Sequence, residues 1–221
     1  MRSARQLITT ITLILLGISP VTHASSIAAG EAIVMHGNHH GVIACSNCHG
    51  PDGNGNVEQG YPALAGLNEL YIIKELHEFQ VGSRTGAVMD SIANHLSQKD
   101  IDNVARYFST RHRRPNHLHF TSDKLGERLA KLGDAKQHIP ACFSCHGEGG
   151  HGNGAMFPAI AGQNIAYIRR ELDRFRENDR QDDPNGMMRA VAKNLTDDDI
   201  GAVADYVASL SATPAKKAAS K

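Results

Sequence analysis

Tryptophan is absent from the 221-residue chain, and only 5 tyrosines and 6 phenylalanines supply aromatic bulk. A surplus of charge is also missing, since 23 basic residues face 23 acidic ones. That balance gives no sign of the basic surplus on which a nucleic-acid-binding domain relies. Beyond Ile18 no apolar run approaches the roughly 20 residues that cross a bilayer. Cysteine is confined to four positions, too few for a densely cross-linked scaffold.

The first 24 residues read as a targeting segment. Arg2 and Arg5 precede an apolar stretch from Leu7 to Ile18, Pro20 breaks it, and Thr22-His23-Ala24 supplies small residues for cleavage after Ala24. At about 12 residues the stretch is short for a membrane span, and no cysteine stands near the cut to take a lipid. Removing 24 of the 221 residues leaves 197, with 21 basic against 23 acidic residues and a formal charge of −2. The expectation is an exported, periplasmic, soluble protein with at most peripheral membrane association and no nucleic-acid partner.

What the chain does contain, it contains twice. Ala44-Cys45-Ser46-Asn47-Cys48-His49-Gly50 returns as Ala141-Cys142-Phe143-Ser144-Cys145-His146-Gly147, and Pro62-Ala63-Leu64-Ala65-Gly66 returns as Pro158-Ala159-Ile160-Ala161-Gly162. Tyr71, Leu76, Phe79 and Arg84 align with Tyr167, Leu172, Phe175 and Arg180; further on, Met89, Leu96 and Tyr107 align with Met188, Leu195 and Tyr206. A duplicated domain follows. The expected organisation is a signal peptide over 1–24, domains over 25–110 and 120–211, a basic, His-rich linker over 111–119, and a disordered tail over 212–221.

Each copy reads as all-α. Ile72, Leu76 and Phe79 share one helix face, as do Ile168, Leu172 and Phe175. Ser97 with Asp100, and Thr196 with Asp199, have the spacing of N-terminal capping boxes. They open helices with stripes Ile101, Val104, Ala105, Phe108 and Ile200, Val203, Ala204, Val207. Shorter helices are expected near 28–36 and 125–132. Domains of about 90 residues have thin cores, and a large apolar cofactor in each would fill much of the interior.

Both cysteine pairs lie in C-x-x-C-H, the haem c attachment motif. Cys45 and Cys48, and Cys142 and Cys145, are spaced for thioether bonds to one haem each, with His49 and His146 as proximal ligands. Two disulfides, a Cys₄ zinc site and a C-x-x-C redox centre compete with this reading, but none accounts for a histidine after both pairs. Met89 and Met188 occupy equivalent positions in loops after a helix and are the candidate sixth ligands, a pairing that raises the reduction potential; Met187 is the competitor of Met188. Met35 and Met156 have no repeat partner and are expected to be packing residues. His36, His39, His40, His112, His117 and His119 read as solvated, and His77 and His95 as structural.

Taken together, A-C-x-x-C-H-G, P-A-[LI]-A-G, Y-I-x-x-E-L-x-x-F and the Met-to-capping-box stretch resemble the two-haem cytochrome c4 family over about Ser26 to Leu210. The resemblance implies tandem class I cytochrome c domains, each wrapped around one covalently attached haem, with the two haems close enough to exchange electrons. It implies that the Pro62 and Pro158 carbonyls orient His49 and His146, and that Leu64 and Ile160 pack on the haem edges. Tyr71, Tyr167, Arg84 and Arg180 line the pocket, meet propionates, or have ordinary core or surface roles. The copies differ at Leu67 against Gln163, at Gly150 to Gly154, and at Asp182-Asp183-Pro184. The expected role is outer-sphere electron transfer, not enzymatic, with a quinol-oxidising complex, a terminal oxidase or a periplasmic dehydrogenase as partner. A two-haem peroxidase-like enzyme with one open or switchable iron is the alternative.

Overall fold

A computed structural model describes residues 23–114 and 124–212. The leader through Thr22, the linker from Pro115 with His117 and His119, and the tail from Thr213 lie outside the described residues. The described residues form ten α-helices and no β-strands, only isolated bridges. Domain one holds α1 (His23–His36), α2 (Ser46–His49), α3 (Glu69–Val81), α4 (Met89–Asn94) and α5 (Gln98–Ser109). Domain two repeats the order as α6 (Lys124–Leu132), α7 (Cys142–His146), α8 (Ile165–Arg176), α9 (Met187–Ala192) and α10 (Asp197–Ser209).

Helix starts follow local chemistry. Ser97 and Thr196 cap α5 and α10 in reciprocal boxes with Asp100 and Asp199, each worth about 1 kcal/mol. Asn68 and Asn164 cap α3 and α8 through their side-chain oxygens. The apolar stripes face inward: Ile101, Val104, Ala105 and Phe108 are buried in one domain, and Ile200, Val203, Ala204 and Val207 in the other. Each terminal helix packs on the domain's first helix and on its long central one.

The first crossing depends on glycine. A Cβ on Gly30 would overlap the Asn103 carbonyl oxygen and sit 2.9 Å from Tyr107 Cβ; one on Gly126 would overlap the Ala202 carbonyl and sit 2.8 Å from Tyr206 Cβ. Backbone cannot yield as a flexible side chain can, so Gly30→Ala or Gly126→Ala should destabilise the protein by about 1–3 kcal/mol. Gly201→Ala, whose nearest obstacle is the movable Arg169 guanidinium at 3.4 Å, should be neutral or gain a few tenths, up to about 1 kcal/mol. Urea midpoints of the haem-loaded protein check both expectations.

One linker residue is more than a tether. Arg113 is buried, donating from Nε to the Ala65 carbonyl (3.3 Å) and from Nη1 to the Ala161 carbonyl (2.9 Å). These carbonyls are equivalent in the repeat, so one guanidinium spans both P-A-x-A-G loops. Burial without a carboxylate partner draws its pKa down to about 10, a nearby Tyr167 opposing.

Candidate haem sites

Both cysteine motifs open on one continuous cavity of about 930 Å³ that crosses the domain boundary. Its wall carries Cys45, Cys48, His49 and Met89 from domain one, and Cys142, Cys145, His146 and Met188 from domain two. All four thiols are free, so the disulfide reading is not the arrangement present. Burial pushes the Cys45 and Cys142 thiols up to about 11, partly offset by backbone hydrogen bonds. A redox C-x-x-C centre needs the opposite shift, toward thiolate. Among the described residues no group of three or more His, Cys, Asp or Glu side chains is gathered for a bare metal ion.

The histidines are fixed as the proline motif implies. His49 Nδ1 lies 3.0 Å from the Pro62 carbonyl oxygen and His146 Nδ1 2.8 Å from that of Pro158. A carbonyl only accepts, so Nδ1 carries the proton in both rings and Nε2 keeps its lone pair for a metal. Burial lowers both imidazole pKa values below the ordinary 6.5, against the hydrogen bonds. Neutral imidazole, the ligating form, therefore prevails at pH 7. Tyr61 and Phe157 stand edge-on to these rings, with centroids 6.1 and 6.3 Å away. They are the aromatic residues just before each proline, a repeated signal that the sequence carries and that the motif reading passed over.

The methionines differ from expectation in one respect: they open the short helices α4 and α9 and are not in loops. α4 begins at Met89 and α9 at Met187, which by helix start alone would pair Met89 with Met187. Packing decides otherwise, since Met89 lies against the apolar cluster of domain one and Met188 against that of domain two. The fully buried Ala93 and Ala192 keep the same register. Met156 is not a packing residue: it is 48% exposed, on the cavity rim. His36, His39, His40 and His112 are exposed, while His77 pairs with Gln80 and His95 with the Ser91 carbonyl.

Leu64 and Ile160 line the cavity as expected. Arg84 and Arg180 do more than line it. Both are buried, each stacks on its own domain's phenylalanine (Phe79 or Phe175), and both bridge the domains. Arg84 binds Glu75 and reaches Glu171 (3.1 Å) and the Tyr167 hydroxyl (2.9 Å). Arg180 binds Glu171 (2.9 Å), Glu75 (2.7 Å) and Asp182 (2.7 Å). Glu75 and Glu171 are themselves repeat equivalents, which makes the cluster a square with approximate two-fold symmetry, broken by Asp182. Arg84 Nε is buried with no partner among the described residues, a donor on the cavity wall left for an anionic group.

These features fit haem c: paired thiols before a histidine with a free ring nitrogen, a thioether on the same cavity, and a spare guanidinium N–H for a carboxylate. A duplicated helical domain around such a site defines a tandem c-type cytochrome. The cytochrome c family model matches twice, over residues 27–111 and 130–211. A Thiomonas intermedia protein named thiosulfate dehydrogenase electron acceptor is 39% identical over 81% of this chain and 84% of its own. Reduced cytochrome c4 from Pseudomonas stutzeri superposes with a TM-score of 0.75 at 34% identity, covering 83% of this chain and 98% of that one. Thiosulfate dehydrogenase from Marichromatium purpuratum gives a TM-score of 0.79 at 34% identity; the match covers 84% of this chain but only 40% of that longer one. The chain belongs to the two-haem cytochrome c4 family. It is accordingly an electron-transfer protein with two covalently bound haem c groups.

Proposed function

We propose that the chain is an exported electron relay in which His49 and Met89 hold one haem iron, His146 and Met188 hold the other, and a thiosulfate-oxidising dehydrogenase is the donor. The observation that carries the relay is the single cavity shared by both sites. Haem iron supplies the one-electron change between its ferric and ferrous states. The polypeptide supplies fixed ligand positions, an apolar surround and a charged bridge, all of which limit rearrangement as charge moves. With His49 and Met89 holding one iron and His146 and Met188 the other, neither would be left open to substrate, as a peroxidase requires of one. The choice of donor rests on the relative named thiosulfate dehydrogenase electron acceptor and on the likeness to part of a thiosulfate dehydrogenase. Export rests on the basic and apolar leader before Ala24.

The test mixes the fully oxidised protein with thiosulfate and catalytic amounts of a thiosulfate dehydrogenase in a stopped-flow spectrometer. Uptake of two electrons per chain, at a rate set by the dehydrogenase concentration, is expected. Reduction no faster than with thiosulfate alone would overturn the donor, and a five-coordinate, high-spin haem in the resting protein would overturn the relay.

A further inference from the structure

The repeat is broken at the residue after Ala-Gly, Leu67 in domain one and Gln163 in domain two. Gln163 is 4% exposed, and its amide crosses the domain boundary. Its Oε1 accepts from the Ala63 N–H (2.8 Å) and its Nε2 donates to the Ala63 carbonyl (2.9 Å). Oε1 also accepts from the backbone N–H of Asn164 (2.8 Å). The neighbouring Asn164 donates to the carbonyls of Asn56 (2.8 Å) and Tyr61 (3.3 Å), which holds the same loop.

The Ala63 N–H belongs to the peptide whose carbonyl is that of Pro62, and that carbonyl accepts from His49 Nδ1. A peptide that donates from its nitrogen becomes a better acceptor at its oxygen, because hydrogen bonds in a chain polarise one another, by about 10–30% per bond. Domain one cannot return the contact. Leu67 has no hydrogen-bonding group and sits in the apolar cluster against which Ala159, the counterpart of Ala63, packs.

We propose that Gln163 is a positioning residue for electron transfer: from domain two, it strengthens the Pro62–His49 hydrogen bond and so lowers the reduction potential of the domain-one haem alone. This rests on the reading of His49 as an axial ligand. A stronger acceptor on Nδ1–H makes the imidazole more basic, a more basic ligand favours ferric iron, and the electron is released more readily. The domain interface thereby makes two similar sites unequal.

The test is an NMR-monitored redox titration of the haem-loaded protein, following the haem methyl signals of each domain separately. Gln163→Met keeps the side-chain length and removes both hydrogen bonds to Ala63, together with the one accepted from the Asn164 N–H. It should shift electron sharing about threefold toward the domain-one haem, about 28 mV at 59 mV per tenfold for one electron, with the domain-two haem unmoved. Hydrogen exchange at His49 Nδ1 should quicken while that at His146 stays constant. Gln163→Glu keeps an acceptor for the Ala63 N–H and should move the domain-one potential the opposite way. An interface that had merely loosened would move both variants in the same direction, and that result overturns the proposal, as does an unchanged domain-one potential in Gln163→Met. If wild-type domain one lacks the spectrum of nitrogen and sulfur ligation, the ligand reading fails first, and it fails without reference to Gln163.

Discussion

Met89→Ala and Met188→Ala should each abolish the long-wavelength methionine–iron absorption of one haem, lower that haem's potential by on the order of 0.2 V, a fraction of the range that axial ligands cover, and leave the other haem nearly unchanged. Axial ligand identity spans about 0.8 V of haem potential, and a thioether opposite imidazole lies toward the high end because it is a weak donor that favours ferrous iron. Alanine leaves water or a stray side chain in its place, and harder donors favour ferric iron. Independence is expected because Met89 packs against the cluster of its own domain and Met188 against the other. An optical redox titration resolves the two components, and the pattern of loss assigns each. Met187→Ala is the informative third variant. It also lines the cavity, but only Met188 shares the register set by the buried pair Ala93 and Ala192. If Met187→Ala removed the domain-two band and Met188→Ala did not, the register of α9 would be wrong by one residue.

What could be read in the sequence was what short-range chemistry determines. The capping boxes at Ser97 and Thr196 need only residues three apart, and the stripes of α5 and α10 need only helical period. The cysteine motifs repeat a local pattern, and duplication doubled every signal; the Pro62 and Pro158 acceptors came only with the family resemblance. What escaped depends on how the two halves meet. Arg113 lies in a segment without periodicity, and its burial makes sense only once the Ala65 and Ala161 carbonyls converge on it. Gln163 stood out as a break in the repeat, yet nothing within domain two indicates that its partner is Ala63. Gly30 and Gly126 resemble ordinary helix glycines until another helix backbone is laid across them. Met156 lacked a repeat partner, which fits rim exposure as well as core filling.

The charge square supplies the other large effect. Arg180→Met should cost about 3–5 kcal/mol, the usual penalty for removing one partner of a buried ion pair, because it leaves Glu75 and Glu171 to share Arg84 and leaves Asp182 with only the partly exposed Lys74. The contribution of Asp182 to the pH dependence should also change sign. In the intact protein burial raises the Asp182 and Glu171 pKa values, but the arginines outweigh it and hold both below their ordinary 3.8 and 4.5. Groups depressed in the folded state contribute stability that is complete above those ordinary values and is lost as pH falls through the depressed ones. Wild-type stability should therefore hold down to about pH 4.5 and then decline. Without Arg180, Asp182 loses the hydrogen bond and the charge that lower it most, and burial then dominates. Its folded pKa rises above 3.8, so protonation relieves a buried charge and stability recovers as pH falls through the raised value. Urea midpoints of the haem-loaded proteins between pH 7 and pH 3 compare the two acid limbs. Parallel limbs would mean that Asp182 is held by Lys74, 3.2 Å away and 26% exposed, and that the buried arginine is dispensable at this corner of the interface.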